Sequence, residues 1–212
     1  MGDVRSGIEK PAQPLLHFSN VSKSFGSIEV LKNASGVAYK GQRVLLKGAN
    51  GSGKTTLLKV LAGLLTPDDG EVLRGSVVAW IPASDAGFWP RLNGLSALEL
   101  YARLWKVPDD RFQKHIASWS SSNVFRDSLK IQTHQLSTGR RQLLHFARAL
   151  LHQPQIILVD EPFRSLDEEN RKFAVSQIDG LALEALVVVS SPTDLTTWNW
   201  NQTWKFENGT LS

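Results

Sequence analysis

The sequence predicts an α/β fold built on a largely parallel sheet. Three observations predict it. Short apolar runs of strand length alternate with segments of helical periodicity along the chain. Two of those runs, Ile156–Val159 and Ala185–Val189, are apolar at every position, as strands buried on both faces are. A glycine-rich octapeptide joins the apolar run Val44-Leu45-Leu46 to the periodic segment Leu57-Leu58-Lys59-Val60-Leu61-Ala62, in the order strand, turn, helix.

The elements follow in order. Leu15–Phe18, Glu29–Leu31 and Val44–Leu46 read as short strands, with turns at Gly26 and Gly41. The helix after the octapeptide should end near Gly63, and Pro67-Asp68-Asp69-Gly70 reads as a turn. Glu71–Leu73 and Val77–Ile81 read as strands. From about Ala83 the texture changes and strand signals disappear. Leu95–Leu104 and Arg111–Ser118 read as helices, Pro108 opens the second, and Ser120–Asn123 reads as a loop. This stretch is expected to be a small helical insert over about 83–139. Arg140–Leu151 is a helix, Ile156–Val159 a strand, Asp167–Asp179 a helix, Leu186–Ser190 a strand and Trp204–Phe206 a weak strand. Residues 1–14 carry mixed charge, two prolines and no apolar centre. They are expected to be a flexible tail ahead of one domain over 15–212.

Bulk properties narrow the class of partner. The chain has 212 residues, 42% hydrophobic and 21% charged, enough for one sizeable core. The net charge of +4 is spread along the sequence. It suits an anionic ligand or an anionic membrane surface and is too small to point to nucleic acid. There is no cysteine, which excludes disulfides and cysteine-based metal sites and fits a reducing compartment. No apolar run approaches the roughly 18 residues that span a bilayer. A soluble protein that docks on a membrane protein is expected.

The octapeptide Gly48-Ala49-Asn50-Gly51-Ser52-Gly53-Lys54-Thr55 has the G-x-x-x-x-G-K-[ST] spacing of a phosphate-binding P-loop. Its glycines let the backbone approach a ligand, and the N–H groups of residues 51–55 point to a phosphate at the positive end of the next helix. Gly48, Asn50, Gly51, Ser52, Gly53, Lys54, Thr55 and Thr56 are the candidate nucleotide-binding residues. Lys54 would reach the β- and γ-phosphates, and the Thr55 hydroxyl would hold Mg²⁺. A second motif, Ile156-Ile157-Leu158-Val159-Asp160-Glu161-Pro162, has the Walker B pattern. Asp160 would hold Mg²⁺, and Glu161 would polarise a water for attack on the γ-phosphate. Glu161 and Lys54 are the candidate catalytic residues. Taken alone, a Gly/Ser loop or a strand ending in an acidic turn is commonplace; their combination in one chain is not. The third motif is Leu136-Ser137-Thr138-Gly139-Arg140-Arg141-Gln142. Ser137 reads as a helix N-cap, so Ser137, Thr138 and Gly139 form a second anion-facing helix end. At the far end of the insert it serves the P-loop of another copy better than its own.

P-loop, LSxG-type motif, Walker B with glutamate and then Ser165-Leu166-Asp167, in that order, resemble the nucleotide-binding domain of the ABC ATPase family. The resemblance runs from about Leu15 to Leu211. It implies a P-loop NTPase fold with a mainly parallel core sheet, an N-terminal antiparallel β subdomain and a small helical insert. It also implies ATP as substrate with Mg²⁺, sandwiched between two such domains in a homodimer or heterodimer. Each site would join one protomer's P-loop to the other's Ser137–Gly139, with Ser165-Leu166-Asp167 as the D-loop at the interface. Asn20–Gly26 resembles the entry strand and A-loop, so Phe25 would stack on adenine; as a residue by itself it reads equally as core. Leu92–Leu104 resembles the small exporter-type subunits, those of haem export in cytochrome c maturation most. Phe88, Trp89 and Leu92 would then face a separate transmembrane permease subunit, or else sit in core or rim. The location implied is cytoplasmic, peripheral on the inner face of the membrane.

Two positions depart from the family. Where it usually has a glutamine after the strand ending at Pro82, this chain has Ala83, then Ser84 and Asp85. Where it usually has a histidine, this chain has Pro192, and none of His17, His115, His134, His145 or His152 is nearby in sequence. Thr138 and Arg140 are smaller departures, where Gly and Gln are more usual; Arg140 adds positive charge. One lost donor to a developing charge is worth about a hundredfold in rate. The expectation is intact ATP binding with slow hydrolysis, or a regulatory or heterodimer-partner subunit with little turnover of its own.

Overall fold

The computed structural model describes residues 13–83, 87–163, 165–181, 184–196 and 198–212. The expected tail over 1–14 thus lies outside the described residues except for Gln13 and Pro14.

Two sheets organise the chain. Strands β1 (Leu16–Phe25), β2 (Ile28–Ala38) and β4 (Asp69–Arg74) form an antiparallel sheet in the order β2-β1-β4. The second sheet has six strands in the order β5-β6-β7-β3-β8-β9. Its members are β3 (Arg43–Lys47), β5 (Val78–Ile81), β6 (Ile156–Asp160), β7 (Leu186–Ser191), β8 (Gln202–Glu207) and β9 (Thr210–Leu211). All neighbours are parallel except β8 and β9. The expected class, including the antiparallel N-terminal sheet, is what the chain adopts.

The period of two along β6 and β7 explains why both read as unbroken apolar runs. Ile156, Leu158, Leu186 and Val188 face one core, shared with the antiparallel sheet and with α1 (Lys54–Leu61). Ile157, Val159, Val187 and Val189 face the other, shared with α5 (Thr138–Leu150) and α6 (Glu168–Asp179). A strand between two cores has no solvated face, so polar residues enter β6 and β7 only at their C-terminal ends, as Asp160, Ser190 and Ser191.

Between β5 and α5 lie α2 (Gly94–Leu104), α3 (Asp109–Trp119), α4 (Asn123–Ser128) and a 3₁₀ turn at Thr133–Gln135. Here the sequence reading needs correction. Ser120–Asn123 is not all loop: Ser122 caps α4 by accepting from the Phe125 N–H, and Asn123 is already helical. Six residues give too little periodicity to reveal a helix that Phe125 and Leu129 anchor in the core. β1 and β2 run well past the short strands expected, because irregular register between Phe18 and Ser24 breaks their alternation without ending the pairing. Asp69 and Gly70 belong to β4 rather than to a turn, since Ser22 and Ser19 of β1 pair with Asp69 and Glu71 on either side of an irregularity at Gly70. The short β9, with only two residues, carried no sequence signal.

Candidate functional site

The parallel sheet brings the C-terminal ends of β3, β6 and β7 to one level, where ligands bind in such sheets. Register fixes this: Asp160 pairs with Ser190 across β6 and β7, and Lys47 with Ser191 across β3 and β7. The Gly48 N–H donates to the Ser191 carbonyl at 3.2 Å, tying the start of the P-loop to the end of β7.

From there the loop turns back on itself. The Ser52 N–H donates to the Ala49 carbonyl, and Gly51 and Gly53 have φ of 79° and 109°. Gly53 is the N-cap of α1, in a left-handed conformation that a side chain would strain. A Cβ there would also sit 2.9 Å from Val30 Cγ1. The Lys54 side chain is buried and its Nζ donates to the carbonyls of Gly48 and Ala49, at 2.7 and 2.9 Å. Its ammonium stands 3.8 Å from Glu161 Oε1. Burial pushes the Lys54 pKa down, and the carboxylates of Glu161 and then Asp160 work against that shift. Ser52 Oγ is buried and finds no hydrogen-bond partner among the described residues.

Asp160 is held from two sides. Its Oδ2 accepts from Thr55 Oγ1 at 2.7 Å and its Oδ1 from Ser190 Oγ at 2.6 Å. The next residue, Glu161, turns out of the strand with φ 42°, a sparsely populated conformation for a residue with a side chain. Its N–H donates to the same Ser190 Oγ at 3.0 Å. Thr55 and Asp160 therefore present a hydroxyl and a carboxylate oxygen in contact, a hard-oxygen pair that fits Mg²⁺.

An open groove of about 490 Å³ runs over this centre, lined by Phe25, Val30, Asn50, Gly51, Gly53, Lys54, Thr55, Thr56 and Glu161. The structure thus brings together the P-loop residues, Glu161 and Phe25. Phe25 is 51% exposed, which removes the reading of it as core. The Lys23 ammonium lies 6.0 Å from its ring.

Ser137, Thr138 and Gly139 do not line that groove. Ser137 is the N-cap of α5, accepting from the Arg140 N–H at 3.3 Å, so the expected helix end is there. Gly139 abuts the D-loop: a Cβ on it would lie 2.6 Å from the Ser165 carbonyl oxygen. Buried Gln142 donates to the carbonyl of Pro82, just before Ala83. Asp167 is the N-cap of α6, and the backbone N–H and side-chain amide of Asn170 hold its carboxyl below the usual range.

At the two departures from the family pattern, Ala83 is exposed, while Ser84 and Asp85 lie outside the described residues. Pro192 is exposed and borders a cavity of about 370 Å³ shared with Asn50, Glu161, Ser190 and Ser191. Asp194 is engaged with Lys47 at 2.7 Å. No histidine lines either cavity. His145 is buried against Phe88, and His152 packs edge-on against Trp105, as structural residues do. The residue that sequence reading missed is Ser190, whose polar side chain at the end of an apolar strand was the available signal.

The family profile described as ABC transporter matches residues 31–164, from β2 through the P-loop and Walker B to just before Ser165. This chain belongs to the ABC transporter family. It is 31% identical over 183 residues to the uncharacterized ABC transporter ATP-binding protein YdbJ of Bacillus subtilis, covering 81% of this chain and 58% of that protein. It is 29% identical over 178 residues to the spermidine/putrescine import ATP-binding protein PotA of Legionella pneumophila, covering 79% of this chain and 49% of that protein. The chain spans about half the length of these curated relatives. A solved ATP binding subunit of an ABC transporter shares the fold, with a TM-score of 0.84 at 23% identity over 93% of this chain and 88% of that one. Among the described residues, no helix is long and apolar enough to cross a membrane.

Proposed function

We propose that this chain is the ATP-binding and hydrolysing subunit of an ABC membrane transporter, powering transport by ATP-driven dimerisation with slow turnover. The observation that carries the reading is the contact between Thr55 and Asp160, with Lys54 and Glu161 beside it. The P-loop N–H groups and Lys54 bind and orient the triphosphate. On binding, Lys54 exchanges the carbonyls of Gly48 and Ala49 for phosphate oxygens, and the added negative charge favours its protonated form. Thr55 and Asp160 are the residues that would hold Mg²⁺, which neutralises phosphate charge when bound. Glu161 accepts a proton from the attacking water. Phe25, exposed at the groove's edge, offers a ring for adenine.

Slow turnover follows from Ala83 and Pro192, whose side chains offer neither donor nor acceptor to a γ-phosphate. The same positions favour a second reading, a regulatory subunit or the weaker member of a heterodimer. In either reading Ser137, Thr138 and Gly139 complete a site on a second ATP-binding subunit. The exposed Trp89 faces a separate transmembrane permease, while Phe88 packs against the core beside His145, and the protein sits on the cytoplasmic side of the membrane. Steady-state ATPase activity of the purified chain above a Glu161→Gln control separates the two: activity supports the motor, and equality with the control supports the regulator. Co-purification from membranes with a multi-spanning protein tests the transport assignment.

A further inference from the structure

We infer that Ser190 is a positioning residue, fixing the metal-holding carboxylate of Asp160 and the base Glu161 in one mutual orientation through a single hydroxyl. Ser190 is fully buried at the end of β7, where nothing in strand formation asks for a polar side chain. A hydroxyl has one proton and two lone pairs. The proton goes to Asp160 Oδ1 at 2.6 Å, because a carboxylate can only accept. A lone pair then receives the Glu161 N–H at 3.0 Å. The polarity of both bonds is therefore set by chemistry alone.

Each bond has a distinct consequence. With Ser190 on Oδ1 and Thr55 on Oδ2, the Asp160 carboxylate cannot rotate, and its Oδ2 edge stays toward the P-loop. Partners behind a metal-holding group govern its orientation and affinity. The second bond acts on the backbone. Glu161 has φ 42°, a conformation that persists only where the surroundings over-determine it. Ser190 supplies one such determinant, at the residue whose side chain must face the γ-phosphate. The inference rests on the nucleotide-site reading above, and its test is arranged to separate the two.

Thr and Val at 190 have nearly the same shape and differ in the hydroxyl. Ser190→Val and Ser190→Thr are compared with the parent chain after thermal melts confirm that each is folded. ATP affinity is measured in EDTA and across a Mg²⁺ titration, and ATP turnover across the same titration. The expected result is a Mg²⁺ requirement about 10- to 100-fold higher in Ser190→Val, with ATP affinity in EDTA unchanged and Ser190→Thr close to the parent. Turnover at saturating Mg²⁺ should also fall in Ser190→Val and recover in Ser190→Thr. Equal Mg²⁺ requirement and turnover in the two variants would overturn the inference. If the parent binds ATP without hydrolysing it, the hydrolysis reading fails, and a Val-versus-Thr difference in Mg²⁺-dependent affinity still supports Ser190 as the anchor of Asp160. A parent chain that binds no ATP sinks both readings.

Discussion

Around Lys54, segments more than a hundred residues apart in sequence meet within hydrogen-bond reach, whereas around Ser137 the chain supplies a helix cap and one close backbone neighbour. Apart from Ser52 Oγ, the first centre is satisfied from within: Lys54 on Gly48 and Ala49, Thr55 and Ser190 on Asp160, and Glu161 on Ser190. The second has an exposed Thr138 and a cap bond confined to Ser137 and Arg140, with the Ser165 carbonyl packed against Gly139. The difference teaches which functions a single chain can complete. Under the proposed function, the sheet of this chain assembles the phosphate grip by itself, and the signature helix end is a half-site whose complement lies on a second subunit.

The strongest test of the contrast is Glu161→Gln. Removing a general base should lower turnover about a thousandfold while leaving MgATP binding intact, as steady-state ATPase and binding assays would read. With MgATP the same variant should run as a dimer on size exclusion. A persistent monomer would break the half-site view of Ser137–Gly139. Lys54→Ala comes next, with a loss of about a hundredfold in ATP affinity by calorimetry, since one buried charge-assisted contact is removed. Unchanged affinity would mean that the first centre is not a nucleotide site.

A pH experiment asks how firmly the insert carrying the second centre is attached. His115 Nε2 on α3 lies 2.7 Å from the Ala147 carbonyl on α5, and burial pushes the His115 pKa down to about 4. The unfolded chain takes up that proton at about 6.5, so stability should fall as pH drops from about 6.5 to 4 and then level off. The loss is of order 3 kcal/mol, measured by denaturant unfolding across that window. A His115→Gln variant should flatten the dependence.

Smaller effects sharpen the comparison further. Gly139→Ala places a methyl against the Ser165 carbonyl and should displace the D-loop, lowering turnover about tenfold with little change in ATP affinity. A matching loss of affinity would show the two centres coupled within one chain. Pro192→His should raise turnover a few-fold at most, because a donor is gained at the cavity beside Glu161 only if the loop presents it.

Much of the first centre was legible in the sequence, because spacing within a strand–turn–helix unit determines where backbone N–H groups and Lys54 can point. The unbroken apolar runs of β6 and β7 likewise announced a parallel, doubly covered sheet. The cap at Ser137 and the start of α5 were local chemistry and read correctly. Helix α4 and strand β9 were not legible, since six and two residues carry too little pattern and depend on partners to exist. Phe25 could be read as core or as ligand-facing until the groove exposed it.

What the sequence determined by itself was therefore everything fixed by short-range spacing: the P-loop, the acids ending β6, the capped signature helix, and the α/β class. What only the tertiary structure decided was the meeting of Thr55, Asp160, Glu161 and Ser190. Interstrand register is set by how two apolar cores close on either side of the sheet, and no local pattern specifies which residue of β7 arrives beside Asp160.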